Sequence, residues 1–214
     1  MNKIYALLIL LHTLPLSAQT LEERYQADAS VKRVADVHVI ADLVLDYRNA
    51  TGVLPFAEDY SEGGFIHVVP IGTLPAIATD RERGSPFGVS MRKYPALELL
   101  SELESALDRD LTLPVDPQKV PTTAPNLYYL FLLENNEFVI LTFLYDATPH
   151  TVEVAPHVNI YALGSASGME FMTGLGLNIR DITTIPATER AEIAEAGFAI
   201  NEVFARTTTI EIDN

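Results

Sequence analysis

The chain predicts an α+β fold: a long N-terminal helix packed on an antiparallel sheet, with two further helices. Three observations carry this expectation. Apolar residues recur at steps of three and four from Leu21 to Tyr47. Two dense runs of Leu, Phe, Tyr, Val and Ile flank the polar turn Glu134-Asn135-Asn136-Glu137. Two later apolar stripes at helical spacing each begin just after a proline, Pro95 and Pro186.

Before the first helix, residues 1–18 have the layout of a secretory signal peptide. Asn2 and Lys3 precede the apolar run Ile4–Leu14, and Pro15-Leu16-Ser17-Ala18 offers a small-residue cleavage site. A membrane-spanning helix needs about 20 apolar residues, more than this run supplies. The expectation is a mature domain from Gln19 to Asn214, delivered to the periplasm or secreted, with no stable membrane insertion after cleavage.

The mature chain is long enough to bury a core. It contains no cysteine, so its stability must come from burial, and cysteine-ligated zinc or iron–sulfur sites are excluded. The formal net charge of −15 repels phosphate backbones and anionic membrane surfaces, so nucleic acid is not an expected partner.

Gln19 to Asn49 reads as one helix, with the half from Val34 to Leu45 apolar around more of its circumference and so the better buried. Thr51-Gly52 ends it and Pro55 prevents its return. Residues 56–90 are punctuated by Gly and Pro; Phe65–Val69 and Leu74–Ala78 read as short strands, and Asp80-Arg81-Glu82-Arg83 as a solvated loop. Pro95 to Asp108 reads as the second helix, with Leu97, Leu100, Leu103 and Leu107 on one stripe and Glu98, Glu102 and Glu104 on a solvated face. Asn126 to Leu163 is the sheet: Leu127–Leu133, Phe138–Tyr145 and Thr151–Ala155, which His157–Leu163 continues. Local connections of this kind imply antiparallel pairing. Gly164–Gly176 reads as loop, although Met169–Met172 is apolar. The third helix runs from Pro186 to about Arg206 with Ile193, Ala196, Ile200, Val203 and Phe204 on its stripe, and Thr207–Ile212 reads as a closing strand.

Two segments together carry a family resemblance. One is Ala41-Asp42-Leu43-Val44-Leu45-Asp46-Tyr47 followed by Gly52 and Pro55; the other is Leu113-Pro114-Val115-Asp116-Pro117 leading to Tyr128-Tyr129 and a hairpin. This resembles the globular part of type IV pilins and type II secretion pseudopilins, over residues 31–55 and 111–163. The resemblance implies a sheet packed on the long helix, and a place in a secretion- or pilus-related system. Two pilin features are missing: a Gly before a long apolar helix, and a Glu at the fifth mature position. The resemblance therefore implies a globular head without its fibre-forming anchor.

Chemistry is sparse. Gly164-Ser165-Ala166-Ser167-Gly168 has Ala166 where a nucleophile elbow needs Ser, so Ser165 and Ser167 are weak nucleophile candidates. No pair among His38, His67, His150 and His157 has metalloprotease spacing. His38 and Asp42 share a helix face, which favours an ion pair or hydrogen bond over a ligand pair. The candidate catalytic cluster is His150, His157 and Asp146, since both histidines flank a short strand close in sequence to Asp146. Some pseudopilin heads bind calcium; by that resemblance Asp116, Asp146, Glu170 and Asp181 are candidate calcium ligands, each on an expected loop. No other cofactor is expected. The leading functional expectation is an exported, non-enzymatic module that binds a protein partner. An exported hydrolase using His150, His157 and Asp146, and a small-ligand binder, are the alternatives.

Overall fold

The first helix, α1 (Leu21–Thr51), is the axis of the molecule. This computed structural model describes residues 21–61, 66–72, 91–117, 128–133, 135–165 and 176–210. The expected signal peptide, the Leu74–Ala78 strand, the Asp80–Arg83 loop and Met169–Met172 lie outside the described residues. At about 1.5 Å per residue, α1 is roughly 46 Å long. It stops at Gly52, whose φ of 83° is the left-handed conformation that ends helices, and whose N–H bonds the carbonyl of Arg48 at 2.8 Å. The Val34–Leu45 half is the better buried, as its composition predicts. Val37, Ile40, Ala41 and Val44 are fully buried, because α1 has neighbours on several sides.

Those neighbours are the sheet, α2 (Ala96–Leu107) and α3 (Ala187–Ile210). The fold is α+β, with three helices and a mixed sheet of seven strands. The strands are β1 (Ile66–Ile71), β2 (Met91–Lys93), β3 (Tyr128–Leu132), β4 (Phe138–Leu144), β5 (Thr151–Ala155), β6 (Val158–Gly164) and β7 (Ile179–Asp181). Their order is β2-β1-β3-β4-β6-β5, with β7 also paired to β6. β1, β3, β4, β6 and β5 are joined antiparallel, as tight turns require for β3–β4 and β5–β6. The added strands β2 and β7 instead join β1 and β6 in parallel. Residues 72–90 and 165–178 separate each from its neighbour, giving the chain room to return in the same direction.

Both faces of the sheet are apolar. Val69, Ile71, Leu130, Ile140, Tyr161 and Leu163 face α1 and α2, whereas Val68, Phe131, Val139, Leu141, Ile160 and Ala162 form a second cluster. Burial on both faces explains why β3 and β4 read as continuous apolar runs rather than alternating patterns. Asn136, at φ 62°, makes the tight β3–β4 turn.

Four expectations are corrected. His157–Leu163 does not continue β5: Pro156-His157 turns the chain, and β6 folds back along β5 from Ala155↔Val158. Proline followed by a residue at positive φ (His157, 58°) is the arrangement of a type II turn. The segment from Thr207 extends α3 through Ile210 rather than forming a strand; propagating an existing helix adds one hydrogen bond per ordered residue. The stripe of α2 is Leu99 and Leu103, both fully buried, while Leu97 is 61% exposed. Steps of three drift by about 60° each, so Leu97 lies about 120° from Leu103. The acidic face of α2 is only partly solvated. Glu102 accepts from the Tyr47 hydroxyl (2.6 Å) and the Phe56 N–H (2.9 Å), and Glu104 accepts from the Leu111 N–H (3.0 Å).

Candidate functional site

A helix surrounded by apolar neighbours should carry few charges, yet α1 buries Arg33, Asp36 and His38. Each is matched by a group from another element. Arg33 donates from Nε (2.8 Å) and Nη2 (2.9 Å) to the two carboxylate oxygens of Asp116, and from Nη1 to the Phe143 carbonyl at 3.2 Å. This fork ties the 111–117 segment and β4 to α1. Asp36 accepts from Lys32 Nζ and from the Tyr128 hydroxyl, each at 2.5 Å. Burial nevertheless raises its pKa, outweighing these two bonds. A second buried pair, His67 Nδ1 with the Tyr94 hydroxyl at 2.7 Å, lies toward the other edge of the sheet.

A charged junction forms around His38, where α1, β6, β7 and α3 meet. His38 Nε2 is 2.9 Å from the Tyr161 hydroxyl on β6. Arg180 of β7 hydrogen-bonds that hydroxyl and pairs with Glu189 of α3 at 2.8 Å. Asp42, one turn along α1 from His38, pairs with Arg190 of α3. The expected His38–Asp42 pair is therefore replaced by bonds to other elements, with the two side chains still on one face. His38 is 5% exposed, and its Nδ1 has no hydrogen-bond partner among the described residues. Burial pulls its pKa down to about 4. Asp42 opposes that shift, Arg180 and Arg190 add to it, and Glu189 opposes it.

Arg190–Asp42 and the close approach of Gly197 to Ala35 set α3 antiparallel along α1, seven residues apart on each helix. A Cβ on Gly197 would fall 2.3 Å from that of Ala35, so glycine is what lets the helices touch there. Ile193, Ala196 and Ile200 are partly buried, as their stripe predicts; the side chains of Val203 and Phe204 lie outside the described ones.

The residues singled out for chemistry do not converge. His157 is exposed in the β5–β6 turn and stacks on Tyr145, ring centroids 4.7 Å apart and 8° from parallel. His150 is partly exposed in the β4–β5 connection, where its N–H bonds Thr148 Oγ1 at 3.2 Å, and Asp146 is exposed beside it in sequence. Among the described residues no hydrogen bond or ion pair joins the three. Asp116 has both oxygens on Arg33. Asp181 caps a 3-10 turn, accepting from the N–H (2.9 Å) and hydroxyl (2.7 Å) of Thr183. Glu170 and Ser167 lie outside the described residues. Among the described residues no three His, Asp or Glu side chains are grouped to hold a metal ion. Ser165 closes the end of the sheet, its Oγ accepting from the Phe138 N–H at 3.1 Å.

Reading the sequence missed Arg180, Glu189, Arg190 and Tyr161. The available signal was the interruption of an otherwise apolar helix by Asp36, His38 and Asp42, which implies partners elsewhere. The chain matched no protein-family model, no curated protein and no solved structure.

Proposed function

We propose that this protein is an exported, non-enzymatic module that binds another protein, in a secretion- or pilus-related setting. The observation that carries the reading is where three of its exposed apolar side chains stand. Val31 and Val39 lie one turn either side of Ala35 on α1, and Phe198 follows Gly197 on α3, so exposed apolar groups flank the α1–α3 seam. Phe198 is 67% exposed, and an exposed aromatic beside smaller apolar groups is the kind of anchor that protein interfaces use. Asp116, Asp181 and Ser165, by contrast, are engaged in bonds that hold the fold. The strongly acidic composition favours a partner with basic residues around an apolar contact. The end of α1 at Gly52, with the helix lying against β4 and β6, supports the pilin-like setting.

Immobilised mature protein incubated with a periplasmic extract of the source cell tests the reading. The expected result is capture of a discrete protein, reduced about tenfold or more by Phe198→Asp, as for loss of an interface anchor. Capture at background level, or capture indifferent to that substitution, overturns it.

A further inference from the structure

We propose that the His38 junction is a proton-operated latch that releases the N-terminal part of α3 from α1 when His38 is protonated. The geometry supplies the coupling. In the closed arrangement His38 is neutral. With Arg180 donating to the Tyr161 oxygen, the Tyr161 O–H donates to His38 Nε2, and the remaining imidazole proton sits on Nδ1, which has no partner among the described residues.

A proton taken from solvent binds Nε2, and the imidazolium then carries two N–H donors. The new Nε2–H must donate to the Tyr161 oxygen, which deprives the Tyr161 hydroxyl proton of its acceptor. The Nδ1–H, unpaired already in the closed state, now belongs to a cation, for which a missing acceptor costs more. The nearest carboxylate on the same helix face is Asp42, one turn away, and it is engaged by Arg190. Turning Asp42 toward His38 satisfies the imidazolium and frees Arg190, opening an ion pair that holds the first turns of α3 to α1.

The other charged groups at the junction do not cancel the effect. Arg180 of β7 and Arg190 of α3 repel the new charge, Asp42 of α1 and Glu189 of α3 attract it, and Tyr161 of β6 is neutral. Glu189 and Asp42 are both ion-paired, to Arg180 and Arg190; Asp42 is the acceptor within reach because it stands on α1 itself, one turn from His38. Beyond this junction, the described contacts of α3 on α1 are the small residues Ala35 and Gly197 with the partly buried Ile193, Ala196 and Ile200, while its largest described apolar side chain, Phe198, faces out. Arg190–Asp42 thus adds a polar tie to that packing over the first turns of α3. The sign follows from the packing: the closed state holds the neutral imidazole, so it persists at neutral pH and is lost as pH falls toward about 4.

The absence of cysteine allows clean spin labelling. Labels at Leu97→Cys on α2 and Ala194→Cys on α3, both exposed positions, report the separation of the two helices by pulsed electron resonance. At pH 7 a single narrow distance is expected. At about pH 4 a second, longer population is expected, with far-UV circular dichroism retained. His38→Gln, which keeps a hydrogen bond to Tyr161 but takes no proton, should hold the narrow distance at both pH values. Asp42→Asn should show the longer population already at pH 7. An unchanged distance in the parent at acid pH, the same acid shift in His38→Gln, a narrow distance in Asp42→Asn at pH 7, or loss of the dichroism signal with the shift would each overturn the latch.

Discussion

Gly164 shows how a single side chain can be excluded by the course of the backbone. It ends β6 opposite Val139, and a Cβ there would lie 2.4 Å from the Phe138 carbonyl oxygen and 2.7 Å from Val139 Cγ2. The carbonyl belongs to a central strand and cannot swing aside. Gly164→Ala should therefore destabilise the protein by about 1–3 kcal/mol, the usual cost of overpacking. Urea titration checks this, and a midpoint equal to the parent's would show that β6 shifts freely. In the sequence this glycine reads only as the start of a loop. The clash that demands it arises from the pairing of β4 with β6, which no local pattern reveals. The same holds for Leu97 and Leu99, whose exposure and burial depend on which arc of α2 meets α1 and β1.

The elements themselves were largely legible. The ends of α1 and α2, the Asn136 turn and the apolar β3 and β4 follow from Gly52, Pro95, turn chemistry and β-forming residues. The short parallel strands β2 and β7 were not. Three residues such as Met91–Lys93 or Ile179–Asp181 carry no period of their own and become strands because a sheet edge is there to pair with. How elements are fastened also escaped the sequence. The buried Arg33–Asp116 fork joins groups 83 residues apart. Arg33→Met should cost about 3–5 kcal/mol, because it leaves the Asp116 charge without its guanidinium. The double variant Arg33→Met, Asp116→Leu should recover most of that loss, since apolar replacements of both partners need no ion pairing. Chemical denaturation of both variants decides the point; equal losses would mean that the fork's worth lies in packing and in the Phe143 carbonyl bond.

For the whole molecule, the net charge of −15 on a cysteine-free chain leaves a folded state that repels itself and has no covalent staple. Raising ionic strength from about 0.01 to about 0.15 M shortens the Debye length from roughly 30 to 8 Å. That screening should raise the melting temperature by about 2–4 °C, the shift expected for roughly 1 kcal/mol in a chain of this size. Thermal scans across that range test it, and a fall with salt would mean that pairs such as Arg180–Glu189 outweigh the net repulsion. The α+β class, the long helix and its glycine stop, the central antiparallel strands, the acidity and the reliance on burial are all legible in the order of residues, because these are local or additive properties of the chain. Packing, by contrast, is what places Asp116 on Arg33 and brings His38, Tyr161, Arg180, Glu189 and Arg190 to one junction. Arg33 and Asp116 are 83 residues apart, His38 and Tyr161 123, and Asp42 and Arg190 148, so these partners are set by packing and not by spacing.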